Sequence, residues 1–204
     1  MLMRIHPIDP QERLIRQIVE ILKNGGIIIY PTDTIYGLGC DIYQHKAVER
    51  ICRIKNIQPE KANFSFICHD LSNLSDYVKQ VDTATFKLLK KALPGPYTFI
   101  LPGNNNLPKE FKKKTTVGIR IPDNSIALEI VRQLGNPIVS TSIRDEDEVI
   151  EYTTDPELIF EKWQNLVDVV IDGGYGDNTA STIIDLSGHE PVVVREGKGD
   201  IDIL

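Results

Sequence analysis

The sequence is poor in the residues from which metal sites and disulfide scaffolds are built. It has three cysteines and four histidines among 204 residues. The cysteines are odd in number and form no CxxC pair, and the histidines form no HxxxH or HxH pair. Spacing therefore gives no support to a disulfide framework, a zinc site or a histidine-based catalytic centre. We expect the thiols to be free and buried.

Long apolar runs are also missing. No stretch approaches the roughly 20 apolar residues that a membrane-spanning helix requires, and residues 1–7 lack the apolar region of a signal peptide. The sequence therefore predicts a cytoplasmic protein without a membrane partner. Its hydrophobic content of 41% is sufficient for a packed core and too high for a disordered chain.

Positive charge is in deficit, because the formal net charge is −6. An acidic chain offers no general surface for nucleic acid, although a local basic cavity remains compatible with that charge. The phosphate-binding patterns GxxxxGK[ST] and GxGxxG are absent, and no Ser-His-Asp order can be recognised. A nucleotide that binds this chain has to use a less common arrangement of residues.

What the sequence does contain is an unbroken alternation of helix-like and strand-like segments. Short apolar runs such as residues 27–30 predict buried strands, and apolar residues at helical spacing predict helices. No linker, repeat or low-complexity tract interrupts the pattern, so we predict one α/β domain over residues 1–204. The later strands follow one another without helices, and part of the sheet should therefore be antiparallel.

Two local expectations follow from helix and turn chemistry. Asp82 is predicted to cap a helix that buries Phe86, Leu89 and Leu93. Residues 31–39 read Pro-Thr-Asp-Thr-Ile-Tyr-Gly-Leu-Gly and directly follow a predicted strand. Their glycines and short polar side chains predict a turn.

Hydroxyl-bearing side chains are concentrated where predicted strands end. They fall within residues 31–39, residues 140–142 and residues 179–182. Hydroxyls and closely approaching backbone N–H groups suit phosphate oxygens, and open α/β sheets bind ligands at strand ends. The alternative interpretation is that these residues only cap turns and fill strand ends.

Two arginines lie inside apolar, strand-like runs. Arg120 is part of Val-Gly-Ile-Arg-Ile-Pro, and Arg195 is part of Val-Val-Val-Arg-Glu-Gly. Because an unpaired buried charge is costly, we expect at least one of them to face a ligand, the alternative being a structural ion pair. Lys55 can reach a phosphate as a flexible point charge, although its spacing alone is that of an ordinary surface lysine.

Taken together, these pieces resemble the YrdC/YciO family. The resemblance rests on residues 31–39, on Leu-Pro-Gly-Pro-Tyr-Thr at 93–98, on Val-Gly-Ile-Arg-Ile-Pro at 117–122, on Ser-Thr-Ser at 140–142, on Ser-Thr-Ile-Ile-Asp at 181–185 and on Arg-Glu-Gly at 195–197. These segments keep the order of the family across most of the chain. The sequence around residues 51–54, 62–64 and 70–72 is closer to the YciO branch.

The resemblance implies a YrdC/RibB-like fold, which is a twisted, open sheet of parallel and antiparallel strands with flanking helices and a large concave basic cavity. It also implies activity of the L-threonylcarbamoyladenylate synthase type. That reaction converts L-threonine, bicarbonate and ATP, with Mg²⁺, to threonylcarbamoyl-AMP and pyrophosphate for the t6A modification of tRNA. Binding of double-stranded RNA or tRNA is a further implication.

Carried over by position, the resemblance assigns threonine contacts to Thr32 and Arg120. It assigns nucleotide contacts to Lys55, Ser142, Ser181 and Arg195. The remaining residues expected around the same cavity are Thr34, Tyr36, Thr98, Ser140 and Arg144. No catalytic side chain and no metal ligand is implied, so positioning and charge neutralisation would do most of the work.

Two positions differ from the synthase members of the family. Ile57 stands where those have the arginine of a KxR segment, and Arg144 stands where they have the asparagine of an SxN segment. An acidic run follows at residues 145–148. We therefore expect weakened or altered synthase activity. Two other functions stay open, namely hydrolysis of an adenylate or of threonylcarbamoyl-AMP, and RNA binding without catalysis.

Overall fold

The computed structural model describes residues 1–143 and 151–204, which form a ten-stranded sheet flanked by helices. The strands are β1 (Leu2–Arg4), β2 (Ile28–Tyr30), β3 (Gly37–Asp41), β4 (Ser65–Ile67), β5 (Tyr97–Pro102), β6 (Thr116–Arg120), β7 (Ile138–Ser142), β8 (Val169–Asp172), β9 (Thr182–Asp185) and β10 (Val192–Arg195). The α-helices are α1 (Glu12–Lys23), α2 (His45–Ile54), α3 (Thr83–Ala92), α4 (Ser125–Leu134), α5 (Glu151–Thr154) and α6 (Pro156–Trp163). Among these residues no helix is long and apolar enough to span a bilayer.

The sheet mixes parallel and antiparallel pairs, as the sequence predicted. Its strand order is β1-β8-β2-β3-β7-β4-β6-β5-β9-β10. The pairs β1–β8, β2–β8, β4–β6 and β5–β9 are parallel, and the other neighbours are antiparallel. The sheet is open, with β1 and β10 at its two edges.

Apolar side chains are buried on both faces of the sheet. In β2, Ile28 and Tyr30 pack into one core cluster with residues of α1 and α4. Ile27 and Ile29 pack into a second cluster, to which α2, α3 and α6 contribute. Successive strand residues point to opposite faces, and a strand covered on both sides therefore reads as a continuous apolar run.

The two local expectations of the sequence are met only in part. Asp82 does cap α3, where its carboxylate accepts a hydrogen bond from the backbone N–H of Thr85 at 2.7 Å. Phe86, however, is 40% exposed, so the expectation that it is buried was wrong. Only the second half of α3, with Leu89 and Ala92, covers the core. The three cysteines are free and buried, as expected.

The prediction of a turn over residues 31–39 was wrong at its end, because Gly37 already begins β3. A Cβ atom on Gly37 would lie 2.8 Å from Cζ of Tyr30, and one on Gly39 would lie 2.6 Å from Cγ2 of Ile138. Both distances are too short for a contact between non-bonded atoms, so a side chain at either position would force its neighbours to move. The glycines therefore serve a strand that lies tightly against a buried aromatic ring, rather than a turn.

The outer strand β10 carries exposed apolar side chains. Val192, Val193 and Val194 are 57%, 37% and 55% exposed. Val193 is paired with Ile184, and the next pair joins Arg195 to Ile183. Val194 is therefore the extra residue of a β-bulge, which interrupts the ladder at this edge.

Candidate functional site

Arg120, the last residue of β6, is anchored by the loop that follows β2. Its Nη2 donates hydrogen bonds to Oγ1 of Thr32 at 3.1 Å, to Oδ1 of Asp33 at 2.6 Å and to Oγ1 of Thr34 at 2.7 Å. The side chains of Arg120 and Asp33 are only 11% and 10% exposed. A guanidinium buried to this extent needs such partners, since an unpaired charge would be strongly disfavoured.

The loop holds its own hydroxyl groups in place through local hydrogen bonds. Oγ1 of Thr32 accepts from the backbone N–H of Thr34 at 3.0 Å and donates to the backbone oxygen of Ile35 at 2.9 Å. This is the local side-chain-to-backbone bonding that threonine offers in turns. The acceptors around Arg120 are therefore fixed before any ligand arrives.

The ion pair between Arg120 and Asp33 is only half of a bidentate fork. Oδ2 of Asp33 and Nε of Arg120 are both buried, and neither has a hydrogen-bond partner among the described residues. Buried polar atoms without partners are rare in folded proteins and call for an explanation. Here, the contacts of Nη2 with the two threonines hold the guanidinium away from the fully bidentate geometry.

A second wall of the site is formed by β5, by residues 180–183 and by β10. Oγ1 of Thr98 lies 3.0 Å from Oγ of Ser181. Arg195 donates to the backbone oxygen of Ser181 from Nε at 3.1 Å and from Nη2 at 2.8 Å. Its Nη2 also lies 3.3 Å from Oγ of Ser181. The guanidinium of Arg195 is thus oriented by the strand next to its own.

β7, which lies between β3 and β4 in the sheet, also presents hydroxyl groups to the site. Ser140 is 5% exposed and accepts a hydrogen bond of 2.6 Å from the hydroxyl of Tyr30. Ser142 is two residues further along the same strand and therefore on the same face. Burial raises the pKa of Tyr30 to about 12, so its hydroxyl stays protonated well into the alkaline range.

The burial of Tyr30 predicts a loss of stability at alkaline pH. A raised folded-state pKa stabilises the protein fully below the unfolded value of about 10, and that contribution is lost as the pH rises toward 12. Each such group adds a slope of about 1.4 kcal/mol per pH unit to the free energy of unfolding. Chemical denaturation between pH 9 and 12 should therefore show a shallower decline for Tyr30→Phe than for the natural protein.

The 82%-exposed Tyr175 offers a matched control for this prediction. Tyr175→Phe should leave the pH slope unchanged. The slope should not vanish in Tyr30→Phe, because burial also raises the pKa of Tyr36 and of the thiols of Cys40 and Cys68. Equal slopes for Tyr30→Phe and the natural protein would contradict the assignment.

These groups surround a cavity of about 120 Å³, which we call the central cavity. The predicted residues that line it are Thr34, Thr98, Arg120, Ser140, Ser142, Ser181 and Arg195. Both arginines face the same cavity, which gives one site two cationic groups. A second cavity of about 350 Å³ shares Asn63, Ser65, Thr98 and Ile183 with it and is also lined by Lys113 and Lys114.

Three of the predicted residues that the structure describes do not line the central cavity. Thr32 accepts a hydrogen bond from Arg120 and borders a neighbouring cavity instead. Lys55 caps the end of α2. The side chain of Tyr36 is buried and donates to the backbone oxygen of Gly174 at 2.6 Å, because it lies on the opposite face from Ile35 and Gly37. Arg144, like the acidic run 145–148, lies outside the described residues.

Sequence reasoning missed two charged residues around the site, Asp33 and Lys198. Lys198 donates to the backbone oxygen of Asp33 at 2.7 Å and pairs with a carboxylate oxygen of Asp177 at 2.8 Å. The only signal for Asp33 was its position between two threonines, and Lys198 offered none. Within the part of the chain described, no group of three or more His, Cys, Asp or Glu side chains is placed to hold a metal ion.

Comparison with known proteins settles the family. The Sua5/YciO/YrdC family model, which is described as telomere recombination, matches residues 20–197. The chain belongs to this family. The resemblance read from the sequence is therefore confirmed.

The YciO branch provides the more similar relatives. The uncharacterized protein YciO of Escherichia coli (strain K12) is 47% identical over 200 residues, covering 97% of this chain and 95% of the relative. The crystal structure of E. coli YciO superposes with a TM-score of 0.90 at 45% identity, covering 100% of this chain and 98% of the other. The predicted fold class is thus confirmed.

Synthases of the family are more distant. The threonylcarbamoyl-AMP synthase of Methylobacillus flagellatus is 31% identical over 128 residues, covering 62% of this chain and 71% of the relative. The crystal structure of P. abyssi Sua5 complexed with L-threonine has a TM-score of 0.87 at 26% identity. This alignment covers 97% of the present chain and 57% of Sua5. The fold is therefore shared with a protein that binds L-threonine.

Proposed function

We propose that this protein is an enzyme of the threonylcarbamoyl-AMP synthase type with weakened or altered activity. It would bind L-threonine, bicarbonate and ATP and release pyrophosphate. The observation that carries the proposal is the central cavity, which is lined by Arg120 and Arg195, each held by fixed oxygen acceptors. Family membership and the threonine-bound Sua5 structure support it.

Arg120 would bind the carboxylate of threonine. Its side-chain hydrogen bonds within the described residues all leave from Nη2, so Nη1 remains as a donor toward the cavity that it lines. A guanidinium whose orientation is already fixed pays less ordering entropy when it binds a carboxylate. Asp33 supplies the counter-charge that makes this buried cation tolerable without ligand.

The nucleotide would lie along β7 and the second wall, where Ser142, Ser181 and Arg195 are expected to contact it, and Lys55 would reach it from the end of α2. Binding sites for ligands of this size usually have volumes of about 300–1,000 Å³. The central cavity, at about 120 Å³, is smaller, so a nucleotide has to extend out of it. Positioning and charge neutralisation of the phosphates would supply most of the catalysis.

Mg²⁺ would enter with the triphosphate rather than occupy a dedicated protein site. The hydroxyl and guanidinium groups of the central cavity are poor ligands for a hard cation, and the described residues supply no carboxylate cluster. Mg²⁺ in nucleotide enzymes is commonly held by substrate phosphates and water with few protein ligands. When bound, the ion neutralises phosphate charge.

Replacing Arg195 with alanine should weaken ATP binding about 10- to 150-fold, which corresponds to the roughly 1.5–3 kcal/mol of a charge-assisted hydrogen bond. Isothermal calorimetry with ATP, AMP and L-threonine in turn would measure this change. Arg16→Ala is a suitable control, because Arg16 is 69% exposed and pairs with Glu12 on α1. A natural protein that binds neither ATP nor AMP at millimolar concentration would rule out the nucleotide site.

RNA binding is a second candidate, because Lys113 and Lys114 line the cavity next to the central one. RNA held by many phosphate contacts should dissociate steeply as salt increases, whereas AMP, which has a single phosphate group, should respond more weakly. Titrations with double-stranded RNA and with AMP at two salt concentrations would separate these modes.

Incubation with ATP or an adenylate, followed by measurement of released AMP, would detect the alternative hydrolase activity.

A further inference from the structure

We propose that Lys198 and Asp177 are positioning residues that hold the loop carrying Thr32, Asp33 and Thr34, and through it the orientation of Arg120. The structural part of this proposal stands by itself. Its kinetic consequence rests on the proposed function. Neither residue lines the central cavity. Both line the neighbouring cavity that Thr32 borders, and their effect on a ligand in the central cavity would pass through Arg120.

The loop is held from its outer side by two hydrogen bonds. Nζ of Lys198 donates to the backbone oxygen of Asp33 at 2.7 Å. The backbone N–H of Asp177 donates to the backbone oxygen of Thr34 at 3.2 Å. The side chains of the same loop residues hold Nη2 of Arg120 on the inner side. A shift of the loop backbone would therefore move the acceptors of Arg120 directly.

Lys198 is itself held in place by its backbone and by Asp177. Its N–H donates to the backbone oxygen of Ala180 at 2.8 Å, and the preceding Gly197 N–H donates to Oγ1 of Thr182 at 3.0 Å. A Cβ atom on Gly197 would lie 2.3 Å from the oxygen of Ala180, so the close approach requires glycine. Ordering a lysine side chain costs conformational entropy, because many rotamers are lost. A backbone that is already fixed lowers the total entropy cost of placing Nζ at the loop.

Asp177 gives the ammonium group of Lys198 its second acceptor. One carboxylate oxygen lies 2.8 Å from Nζ, and the other accepts from the backbone N–H of Thr179 at 2.9 Å. The pKa of Asp177 is lowered to about 2, mainly by the hydrogen bond from Lys198 and further by the backbone N–H of Thr179. This carboxylate is therefore charged at neutral pH. The pair turns Lys198 toward Asp33 rather than toward water.

The consequence is a link between the two walls of the site. Residues 180–182, next to Arg195, bind the backbone on either side of Lys198, and the Lys198 side chain reaches the loop that anchors Arg120. Because Lys198 and Asp177 are 42% and 31% exposed, salt screens this link more than it screens the buried Arg120 pair. High ionic strength should therefore loosen Arg120 without unfolding the protein.

The test measures Arg120 directly in the ligand-free protein. Solvent exchange of the Arg120 Nε–H, followed by nuclear magnetic resonance, should be about 5-fold faster in Lys198→Met than in the natural protein, since the anchoring loop gains mobility. Asp177→Asn should shift the rate in the same direction, and Lys198→Arg should bring it back toward the natural value. Lys91→Met, at the exposed end of α3, removes the same charge elsewhere and should change nothing.

Unchanged exchange in both Lys198→Met and Asp177→Asn, with melting temperatures like that of the natural protein, would overturn the proposal. Should Lys198→Met fail to fold, Asp177→Asn and Lys198→Arg decide it by the same measurement. A kinetic arm, the KM for L-threonine, should rise about 5-fold in Lys198→Met with a smaller change in KM for ATP. If the natural protein binds no threonine, the proposed function fails, while the exchange measurement still decides the positioning role.

Discussion

Methionine in place of Arg120 is expected to lower the free energy of unfolding by about 3–5 kcal/mol, the usual cost of removing one partner of a buried ion pair. The reason is Asp33, whose side chain is only 10% exposed and would be left without its cation. Methionine keeps an unbranched apolar stem but ends short of the guanidinium position, so the charge and its hydrogen bonds to the loop are lost together. Denaturant unfolding monitored by circular dichroism gives the difference directly.

The double variant Asp33→Asn, Arg120→Met separates the buried charge from the lost packing. It should recover at least half of the stability lost in Arg120→Met, because no uncompensated charge remains. Binding of L-threonine should be lost in both variants, since both lack the guanidinium. A single variant that costs less than about 1 kcal/mol, or a double variant no more stable than the single one, would contradict the buried-pair account.

The second large effect concerns catalysis at the two positions where this chain departs from the synthases. Pyrophosphate release from threonine, bicarbonate and ATP should be slower than about 1 per second in the natural protein, below typical enzyme rates. Ile57→Arg combined with Arg144→Asn should raise it at least about 10-fold. An arginine at position 57 can grip phosphate bidentately, whereas isoleucine has no donor.

The surroundings of Ile57 favour this experiment. Its side chain is 37% exposed, and it lies two residues after Lys55, which caps α2, so a longer side chain can be added without overpacking. Ile8→Arg is a matched control, because Ile8 is 82% exposed and lies before α1. A natural protein that already releases pyrophosphate at about 1 per second or faster would show that these two positions do not decide the chemistry.

Local patterns in the sequence predicted much of the secondary structure. The cap of α3 at Asp82 follows from a hydrogen-bonding rule that acts within a few residues. β3 escaped prediction because glycine is rare in strands. Its glycines are explained only by the ring of Tyr30 on the neighbouring strand, which is a tertiary fact.

In the site, too, local sequence patterns indicate a residue's need for a partner but not the tertiary contact that meets it. That Arg120 needs a partner could be stated from the apolar run around it, but not which partner. Asp33 is 87 residues away along the chain, and Lys198 reaches Asp33 across 165 residues. Such pairings depend on the strand order β3-β7-β4-β6, which no local pattern specifies. The resemblance to a family implied a mixed open sheet but named neither this strand order nor these partners.

The bulge in β10 bears on how this protein behaves at high concentration. An outer strand with three exposed valines is a template on which a second molecule could add its own strand and begin a fibril. Growth of that kind requires an uninterrupted row of amide and carbonyl groups. The displaced Val194 breaks the row, and Pro191 before the strand has no amide hydrogen to contribute. We therefore expect the irregularity to hinder the addition of a second strand at this edge.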